Sequence, residues 1–481
     1  MITPLQTSFP IPKDLGVLLL AKIPDCFFVG GCVRDFLLGK EPKDCDVEVY
    51  HWTYEQLTQL LAVDGRVDLV GKSFGVVKFT AKTGRTYDVS IARRERKTIG
   101  GSGHKAFEID LDSDVTPREG AERRDFTINA MMVDPKSNTL HDYFGGLDDL
   151  HARILRHTSP QFPDDPLRVL RLFQFAGRFD MSAAPETLDL CRSLVDEYGT
   201  LSVERVREEW GKWAAHSTRP SRGLDVLQAT GWIQHYPALA AMLHTQQDPI
   251  YHPEGVDEFG ESRPDSVWIH TKHCCDALAR LPHWQNLEAE DRMVYMLATL
   301  CHDMGKPSCT TCEFKERENR ICIVSPGHDI VGGPIARQFL QEIGMPISVI
   351  ERVVPLVENH MAHLNSGGPA SIRRLAKRLE PENITGLALV MIADHFGRPP
   401  EPEIEPESIR TLLEKAADLK VQDSAPKPIL LGRHLIALGL TPGPLFGEML
   451  KAAYERQLNG DIQTQEEAIG WLKDQYGTLL S

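Results

Sequence analysis

The sequence lacks the long apolar runs and the regular cysteine pattern that mark membrane proteins and secreted disulfide-rich proteins. Its longest apolar runs, such as residues 17–20, are far shorter than the roughly 20 residues that cross a bilayer. The N-terminus has no basic stretch followed by an apolar one, as a secretory signal would. The ten cysteines follow no framework, and several lie in apolar surroundings, as reduced thiols do. We therefore expect a cytoplasmic protein with no membrane partner.

An excess of basic residues is also missing. The chain has 53 Lys and Arg against 68 Asp and Glu, a net charge of −15. This balance counts mildly against a nucleic-acid partner, because phosphate binding requires basic side chains. Local patches matter more than the total, however, and basic residues cluster at 93–97 and at Arg123 and Arg124. Composition alone therefore neither excludes nor establishes a nucleic-acid-binding protein.

The chain divides into four segments by its hydrophobic pattern. With 481 residues it is long enough for three or four domains of about 100–200 residues. A Pro/Glu-rich stretch at 398–408 is typical of a semi-rigid linker. The pattern predicts a mixed α/β segment at 1–150, a helical segment at 151–245, a histidine-rich helical segment at 250–400 and a helical tail at 410–481. Within the first segment it predicts strands at 27–29, 47–49, 76–80 and 87–91 and a helix at 54–61.

A double glycine, Gly30 and Gly31, separates a predicted strand from a predicted helix. Glycine lets the backbone approach a ligand closely, and the amides at a helix start favour phosphate oxygens. Arg34, one turn into that helix, could donate a charge-assisted fork to the same phosphates. A tight turn without any ligand is the alternative explanation.

Two acids follow at once. Asp44 and Asp46 are two residues apart in a predicted strand, so both side chains would project to one face. Two such carboxylates repel unless they share cations, and Mg²⁺ with oxygen ligands suits triphosphate chemistry. Asp88, in a later strand, could complete a catalytic cluster. The alternative is a solvated edge strand with alternating acids, a pattern that Glu48 continues.

Five segments in order resemble the nucleotidyltransferase superfamily that contains DNA polymerase β. More closely, they resemble the bacterial class II tRNA nucleotidyltransferases, or CCA-adding enzymes, and their poly(A) polymerase relatives. The resemblance implies an α+β fold: a polymerase-β-like head with a small mixed sheet, then an all-helical neck that binds nucleobase and RNA. The matching segments are 30–35, 44–46, 123–130, 143–149 and 164–168.

The same resemblance implies nucleotide-binding roles in the head and neck. Arg123, Arg124 and Asp125 would lie near the triphosphate and ribose, Asn129 would support that site, and Arg171 belongs to the same motif region. A helix with a basic polar face is the alternative for the Arg pair. The glycine-rich segment 93–108 would be a mobile loop that helps the change from C to A addition, which disfavours CC-only activity.

Asp165 and Arg168 could select the base. They are three residues apart and share a face of a helix. Asp165 could accept from the amino groups of cytosine and adenine, while Arg168 could donate to their ring nitrogens; uracil and guanine would meet Asp165 unfavourably. Asp165 could equally cap a helix that starts at Pro166, and both roles can coexist. Asp164 and Gln174 stand where the family usually has Glu and Arg, which leaves CCA versus A-only addition open.

In the histidine-rich segment, ligand-type residues follow one another as His270, the adjacent pair His302 and Asp303, and then Asp394. In this order the segment resembles an HD phosphohydrolase domain. A divalent metal held by such residues would acidify water for attack on a phosphomonoester or a 2′,3′-cyclic phosphate. Cys309 and Cys312 lack a second pair, and with Cys322 a zinc site would still need a fourth ligand. His273, Cys274, Cys275 and His363 are expected to be packing or surface residues. The resemblance implies that His270, His302, Asp303 and Asp394 hold one metal, and His328 and His360 could ligate a second.

The sequence therefore predicts an enzyme that adds CCA from CTP and ATP to the 3′ end of tRNA, with Mg²⁺ at Asp44 and Asp46. A second, HD-type phosphohydrolase activity accompanies it, with a divalent metal of unknown identity. One alternative adds only the terminal A, or a poly(A) tract. Another is an HD phosphohydrolase whose head only binds RNA.

Overall fold

A computed structural model describes residues 1–42, 44–68, 75–92, 94–97, 107–110, 114–365 and 367–477. The chain forms two compact units. The first comprises Met1–Trp213 and Arg222–Trp232, and the second Ala214–Ser221 and Ile233–Ser481. The predicted boundary at residue 150 therefore falls inside the first unit. Across the described residues, none of the helices combines the length and the hydropathy needed to cross a bilayer.

The first unit is built on an eight-stranded mixed sheet. Its strand order is β1-β10-β9-β2-β3-β6-β5-β4, and the β3–β6 pair is parallel whereas the other neighbours are antiparallel. β7 and β8 form a separate antiparallel ribbon, and β11 pairs with β12. The strands are β1 (Ile2–Pro4), β2 (Cys26–Val29), β3 (Asp46–Val49), β4 (Gly65–Asp68), β5 (Val76–Ala81), β6 (Thr86–Ile91), β7 (Arg94–Lys97), β8 (Phe107–Asp110), β9 (Met132–Asp134), β10 (Thr139–His141), β11 (Ile154–Leu155) and β12 (Ser182–Ala183).

Alternation of side chains orients the central strands. In β6 the apolar Tyr87 and Val89 are buried on one face, while Asp88 between them is exposed on the other. All four strand segments predicted for this part are present, each one residue longer, and β3 begins at Asp46. Asp44 thus precedes the strand in which it was expected. Of the predicted loop 93–108, residue 93 and residues 98–106 lie outside the described residues; 94–97 and 107–108 belong to the ribbon.

Helices cover this sheet and extend the unit. The helix α3 starts at a capping box formed by Thr53 and Gln56, which satisfies two backbone amides. The apolar stripe of α6 places Phe173 against Trp210 and Trp213, with ring centroids 4.7 and 5.3 Å apart. The helices are α1 (Lys13–Lys22), α2 (Gly31–Leu37), α3 (Tyr54–Asp64), α4 (Pro117–Glu122), α5 (Gly146–Ala152), α6 (Leu167–Phe179), α7 (Pro185–Arg192), α8 (Val203–His216) and α9 (Pro220–Ala229).

The second unit is mainly helical, with one hairpin. α11 packs against α13 and α18, and α15 packs against α16. Its elements are α10 (Pro237–Met242), α11 (Ser266–Arg280), α12 (Pro282–Gln285), α13 (Ala289–Cys301), α14 (Lys306–Cys309), β13 (Thr311–Lys315), β14 (Arg320–Val324), α15 (His328–Glu342), α16 (Ile347–Asn359), α17 (Pro369–Leu379), α18 (Ile384–Phe396), α19 (Glu407–Asp418), α20 (Gly432–Ala437), α21 (Pro444–Asn459) and α22 (Gln465–Tyr476).

Candidate active site

The glycine turn between β2 and α2 borders the acidic cluster. Gly30 has a φ of +72°, which L side chains rarely adopt. A Cβ at this position would lie 3.2 Å from Nη1 of Arg124 and 4.0 Å from Oδ2 of Asp46. Glycine therefore keeps open the space between a guanidinium and a carboxylate. That is the space in which a triphosphate and its cation would fit.

The carboxylates of Asp46 and Asp88 lie side by side. β3 and β6 are parallel with Val47 opposite Val89, so the two acids, one residue earlier, share a face on adjacent strands. Desolvation by the surrounding protein, followed by repulsion from Asp88 and Asp44, raises the pKa of Asp46 to about 6 despite the Arg124 charge. A divalent cation bound between these carboxylates would replace their repulsion by attraction. The carboxylates offer only oxygen ligands, and such a donor set suits Mg²⁺.

Asp44 is less closely bound to this cluster. It is exposed just before β3, and its charge raises the pKa of Asp46 less than the charge of Asp88 does. It also borders a cavity of about 480 Å³ beside Lys13 and Arg85. The structure thus brings Asp46 and Asp88 together directly and leaves Asp44 at the edge of the group.

Glu48 is a central residue that the sequence interpretation treated only as part of an acidic alternation. Its carboxylate is completely buried and paired with Arg123 and Arg124, the latter at 3.2 Å, and it accepts from Tyr50 Oη at 3.1 Å. Burial opposes ionisation of Glu48, but the two guanidinium groups hold its pKa down at about 2. Glu48 therefore holds Arg123 and Arg124, the pair predicted to bind the triphosphate, in place through two ion pairs.

Glu48→Gln is expected to destabilise the chain by about 3–5 kcal/mol at pH 7, because two half-buried arginines lose their buried countercharge. A carboxylate with a lowered pKa stabilises the fold above its unfolded pKa, and this contribution is lost as pH falls from about 4.5 towards about 2. The difference in free energy of unfolding between wild type and Glu48→Gln should therefore become smaller as the pH falls through this range. Urea unfolding at several pH values measures it, with exposed Glu41→Gln as the control. A gap independent of pH would contradict the ion-pair explanation.

Asp125 organises a buried network beside the glycine turn. Its carboxylate accepts from Nε of Arg171 at 2.7 Å and from Nδ2 of Asn129 at 3.0 Å. Burial opposes ionisation of Asp125, but Arg171 and Asn129 keep its pKa below the usual value. Asn129 in turn accepts from Arg34 at 2.7 Å.

Arg34 was predicted to reach phosphate, but it is only 4% exposed and its guanidinium stacks over Phe179 at 4.3 Å. In this structure its donors serve Asn129 and Asp35. Arg34 therefore holds Asn129 in place, and its Nη2 lies 3.4 Å from the position that a Cβ on Gly31 would take.

Asp165 and Arg168 are engaged with protein partners. Oδ1 of Asp165 accepts from the Leu167 amide at 3.2 Å, which is the predicted capping role, and Oδ2 accepts from Arg205 at 2.7 Å. Arg168 donates to the backbone carbonyls of Gln161 at 3.0 Å and Arg123 at 2.6 Å. Arg205 is a neighbour that sequence reasoning missed, since it lies forty residues away on α8.

Four histidines in the second unit point the same nitrogen inward. Three Nδ1 atoms lie at hydrogen-bond distance from carbonyl oxygens, His302 and His360 at 2.7 Å and His328 at 2.8 Å. Nδ1 of His270 faces Oε1 of Glu254 at 2.8 Å. Since those oxygens can only accept, each Nδ1 must carry the proton, and each Nε2 is left for another partner. This arrangement is typical of metal-binding histidines.

Carboxylates complete the cluster. Nε2 of His270 lies 3.0 Å from Asp394, and Oδ2 and Oδ1 of Asp303 lie 3.2 Å from His302 and 3.3 Å from His328. Burial opposes protonation of His302, but the Asp303 charge raises its pKa to about 10, so the cluster attracts positive charge. All six predicted HD residues are therefore brought together. Within the described residues these six, together with Cys274, form two groups that could hold a metal: His270, Cys274, His302 and Asp394; and Asp303, His328 and His360.

A cavity of about 560 Å³ opens onto this cluster. It contains basic Lys306 and Arg398, which pair with Asp303 and Asp394 at 2.7 and 2.9 Å. Sequence reasoning missed His252 and Glu254, which form a third group with His270. Cys309, Cys312 and Cys322 do not appear in any metal-capable group among the described residues.

A mixed sheet with paired carboxylates beside a glycine turn, continued by a helical neck, defines the class of template-independent nucleotidyltransferases. The family model for the poly(A) polymerase head domain matches residues 26–156.

The chain belongs to the family of multifunctional CCA proteins. It is 32% identical over 384 residues to the multifunctional CCA protein of Xylella fastidiosa (strain M12), covering 77% of this chain and 84% of the relative. The corresponding protein of Pasteurella multocida (strain Pm70) is 32% identical over 413 residues, 82% and 90% of the two chains. These relatives confirm the predicted resemblance and the prediction of a CCA-type nucleotidyltransferase.

Solved structures of CCA-adding enzymes share the fold. The Bacillus stearothermophilus enzyme in complex with CTP has a TM-score of 0.59 at 20% identity and covers 94% of both chains. The Thermotoga maritima enzyme complexed with tRNA has a TM-score of 0.56 at 20% identity, covering 97% of this chain and 96% of that one. The predicted α+β fold class is confirmed.

Proposed function

We propose that this chain adds C and A from CTP and ATP to the 3′ end of tRNA. The 3′-hydroxyl oxygen of the RNA forms a bond to the α-phosphorus, and the bond from that phosphorus to pyrophosphate breaks. The pairing of Asp46 with Asp88 beside the Gly30 turn carries the proposal, within a chain of the CCA family. The cytoplasm is the compartment we propose.

We further propose that Asp44, Asp46 and Asp88 hold Mg²⁺. When bound, Mg²⁺ would lower the pKa of the attacking hydroxyl and stabilise the leaving pyrophosphate. The raised pKa of Asp46, about 6, supports a site that gains from a cation. Arg124, whose Nη1 borders the glycine turn, is positioned to attract the triphosphate. Glu48 and the Asp125 network fix these groups before substrate arrives.

Base choice is proposed to reside in the neck. Asp165 accepts from the amino group of cytosine or adenine, and Arg205 orients that carboxylate. Arg168 reads the ring nitrogen by exchanging one of its carbonyl partners for the base. Arg171 acts indirectly, because its guanidinium is bound to Asp125.

Asp165→Lys is expected to lower the preference for CTP and ATP over UTP and GTP by about 10- to 100-fold, the value of one good side-chain–base pair. The charge reversal removes the acceptor and repels Arg205. Incorporation of each nucleotide alone measures the preference. Arg205→Ala should show a smaller loss in the same direction, and Arg207→Ala on the same helix should show none. Unchanged exclusion of UTP and GTP in Asp165→Lys would contradict base reading.

The proposed activity is tested with tRNA transcripts that end before, within and after the CC sequence. We expect CTP alone to extend the first two by C, ATP alone to extend the third by one A, and both to complete CCA. Extension of only the third transcript would establish the alternative, addition of the terminal A. Long A tracts would establish a poly(A) polymerase. These alternatives are tested because Gln174 is buried at a position where the family usually has Arg, and this difference could alter base selection.

A second activity, hydrolysis of phosphomonoesters or 2′,3′-cyclic phosphates, is proposed for the HD-type cluster. The inward Nε2 atoms and the two carboxylates support a divalent metal centre there, and Asp303 would help to hold it because its two oxygens face His302 and His328. The metal would acidify a water for attack on the phosphate ester. Lys306 and Arg398 line the adjoining cavity and supply cationic donors that could contact a phosphate. We assign the proposed roles to residues 1–150 (catalytic head), 151–245 (base and RNA binding), 250–400 (hydrolysis) and 410–481 (tail).

A further inference from the structure

Cys274 lies within the histidine cluster of the second unit. It follows His270 by four residues on α11, so both side chains project from one face. Its Sγ is 3.3 Å from Nε2 of His270 and 3.7 Å from the carbonyl oxygen of Asp394. The ligand atoms of Cys274, His270, His302 and Asp394 all lie within 4.8 Å of one another, and all four residues are buried. Four ligands at this spacing can surround one ion.

The surroundings hold the thiol in this position. A Cβ added at Gly397, at the end of α18, would lie 2.4 Å from Sγ of Cys274, so only glycine lets this helix end approach so closely. Nε2 of His302, a residue only 1% exposed, lies 3.2 Å from Oδ2 of Asp303 without the geometry of a hydrogen bond among the described residues. This buried nitrogen belongs to the same group of ligand atoms as the sulfur, so both are available to a metal ion.

Neighbouring cysteines differ in their contacts. Cys275 and Cys301 are as buried as Cys274, yet neither belongs to a metal-capable group in the part of the chain that the structure describes. Burial alone raises the pKa of the Cys301 thiol, as expected for a packing residue. Cys274 is thus distinguished from them by its position among ligands, which the sequence pattern did not reveal.

We propose that Cys274 is a metal ligand that makes this centre select a transition metal such as Zn²⁺, Co²⁺ or Fe²⁺ over Mg²⁺. The proposal rests on the HD-type centre of the proposed function. The thiol loses its proton to solvent, and the sulfur lone pair then forms the bond to the metal. Two imidazoles, one thiolate and one carboxylate form a donor set of the kind that tetrahedral zinc sites use, whereas Mg²⁺ takes oxygen ligands. The two ends of the chain would therefore use different metals.

Cobalt titration of the metal-stripped full-length chain tests this proposal. Wild type should develop the intense near-ultraviolet band of thiolate-to-cobalt charge transfer together with the visible bands of tetrahedral Co²⁺. Cys274→Ser should lose the near-ultraviolet band, and its Co²⁺ affinity should fall by about 10- to 100-fold or more, because a directly bound ligand counts at least as much as an outer one. Nucleotide incorporation by the variant serves as the check on folding.

Two control variants address the other thiols. The charge-transfer band should survive in Cys275→Ser, the adjacent buried cysteine, and in Cys312→Ser, an exposed one. Cadmium NMR of the wild-type chain reports sulfur ligation without any variant, should Cys274→Ser fold poorly. Tetrahedral Co²⁺ bands with no charge transfer in wild type would overturn the thiolate ligand while leaving the metal centre intact. Absence of bound Co²⁺ would overturn both.

Discussion

Asp46→Asn is expected to lower nucleotide incorporation by about 10³-fold or more, because the loss of one metal-binding carboxylate removes several kcal/mol of transition-state stabilisation. Asp46 is the acid most closely surrounded by the others: Asp88 lies beside it on β6 and Gly30 borders it. The asparagine keeps the size of the side chain, so packing should be unchanged. Asp44→Ala, which removes the acid at the edge of the group, should also abolish incorporation. The measurement is the initial rate of CTP incorporation into tRNA ending before CC.

Asp64→Asn is the matched control, since this acid of the same unit pairs with Lys22 at the surface. Its rate should equal that of wild type. Phosphohydrolase activity of Asp46→Asn should also remain, because the two proposed centres are in separate units of the chain. Incorporation by Asp46→Asn near the wild-type rate would contradict the role of this carboxylate. Loss of both activities in a folded variant would contradict the two-centre account.

His302→Ala is expected to show the reverse pattern, with phosphohydrolase activity reduced by about 10³-fold or more and nucleotide incorporation retained. His302 is completely buried, its Nδ1 is tied to the Thr299 carbonyl and its Nε2 faces the cluster. Its loss removes a proposed metal ligand and the contact with Asp303. Hydrolysis of p-nitrophenyl phosphate and of a 2′,3′-cyclic nucleotide, with protein-bound metal measured in parallel, gives the result.

His283→Ala provides the control for this variant, because His283 is exposed on α12 of the same unit. It should keep both activities and the bound metal. A His302→Ala protein that hydrolyses phosphate esters at the wild-type rate would exclude this cluster as the hydrolytic centre.

Much of the fold followed from local pattern. The strands around the catalytic acids were predicted because alternating apolar residues such as Tyr87 and Val89 mark a half-buried strand. The strand order could not be predicted, because the parallel pairing of β3 with β6 depends on contacts between distant segments. Asp44 was expected in the same strand as Asp46, whereas β3 begins at Asp46 and leaves Asp44 outside.

The candidate site was predictable where its residues are close in sequence or belong to family motifs. Glu48 and Arg205 were missed because their partners are distant in sequence. Glu48 pairs with Arg123 and Arg124, which are 75 and 76 residues away. Arg205 pairs with Asp165, which is 40 residues away. The alternation that continues from Asp46 to Glu48 was a usable signal for the first of them.

In the histidine cluster of the second unit, too, residues brought in from elsewhere in the fold were not predicted. Its six predicted histidines and acids are found together, whereas Glu254 and Cys274 join them only through the packing of α11. The spacing of His270 and Cys274, four residues on one helix, was present in the sequence but is common among buried residues. Only the approach of Gly397 and the inward His302 nitrogen distinguish Cys274 from a packing cysteine.

The proposed nucleotidyl transfer depends on the binding of divalent cations by Asp44, Asp46 and Asp88 beside the glycine turn. Anomalous diffraction from crystals soaked with Mn²⁺ and a non-hydrolysable CTP analogue tests it most directly. The account predicts an anomalous peak within ligand distance of Asp46 and Asp88, with the triphosphate against Gly30. A triphosphate bound elsewhere, or these carboxylates turned apart with no ion between them, would contradict it.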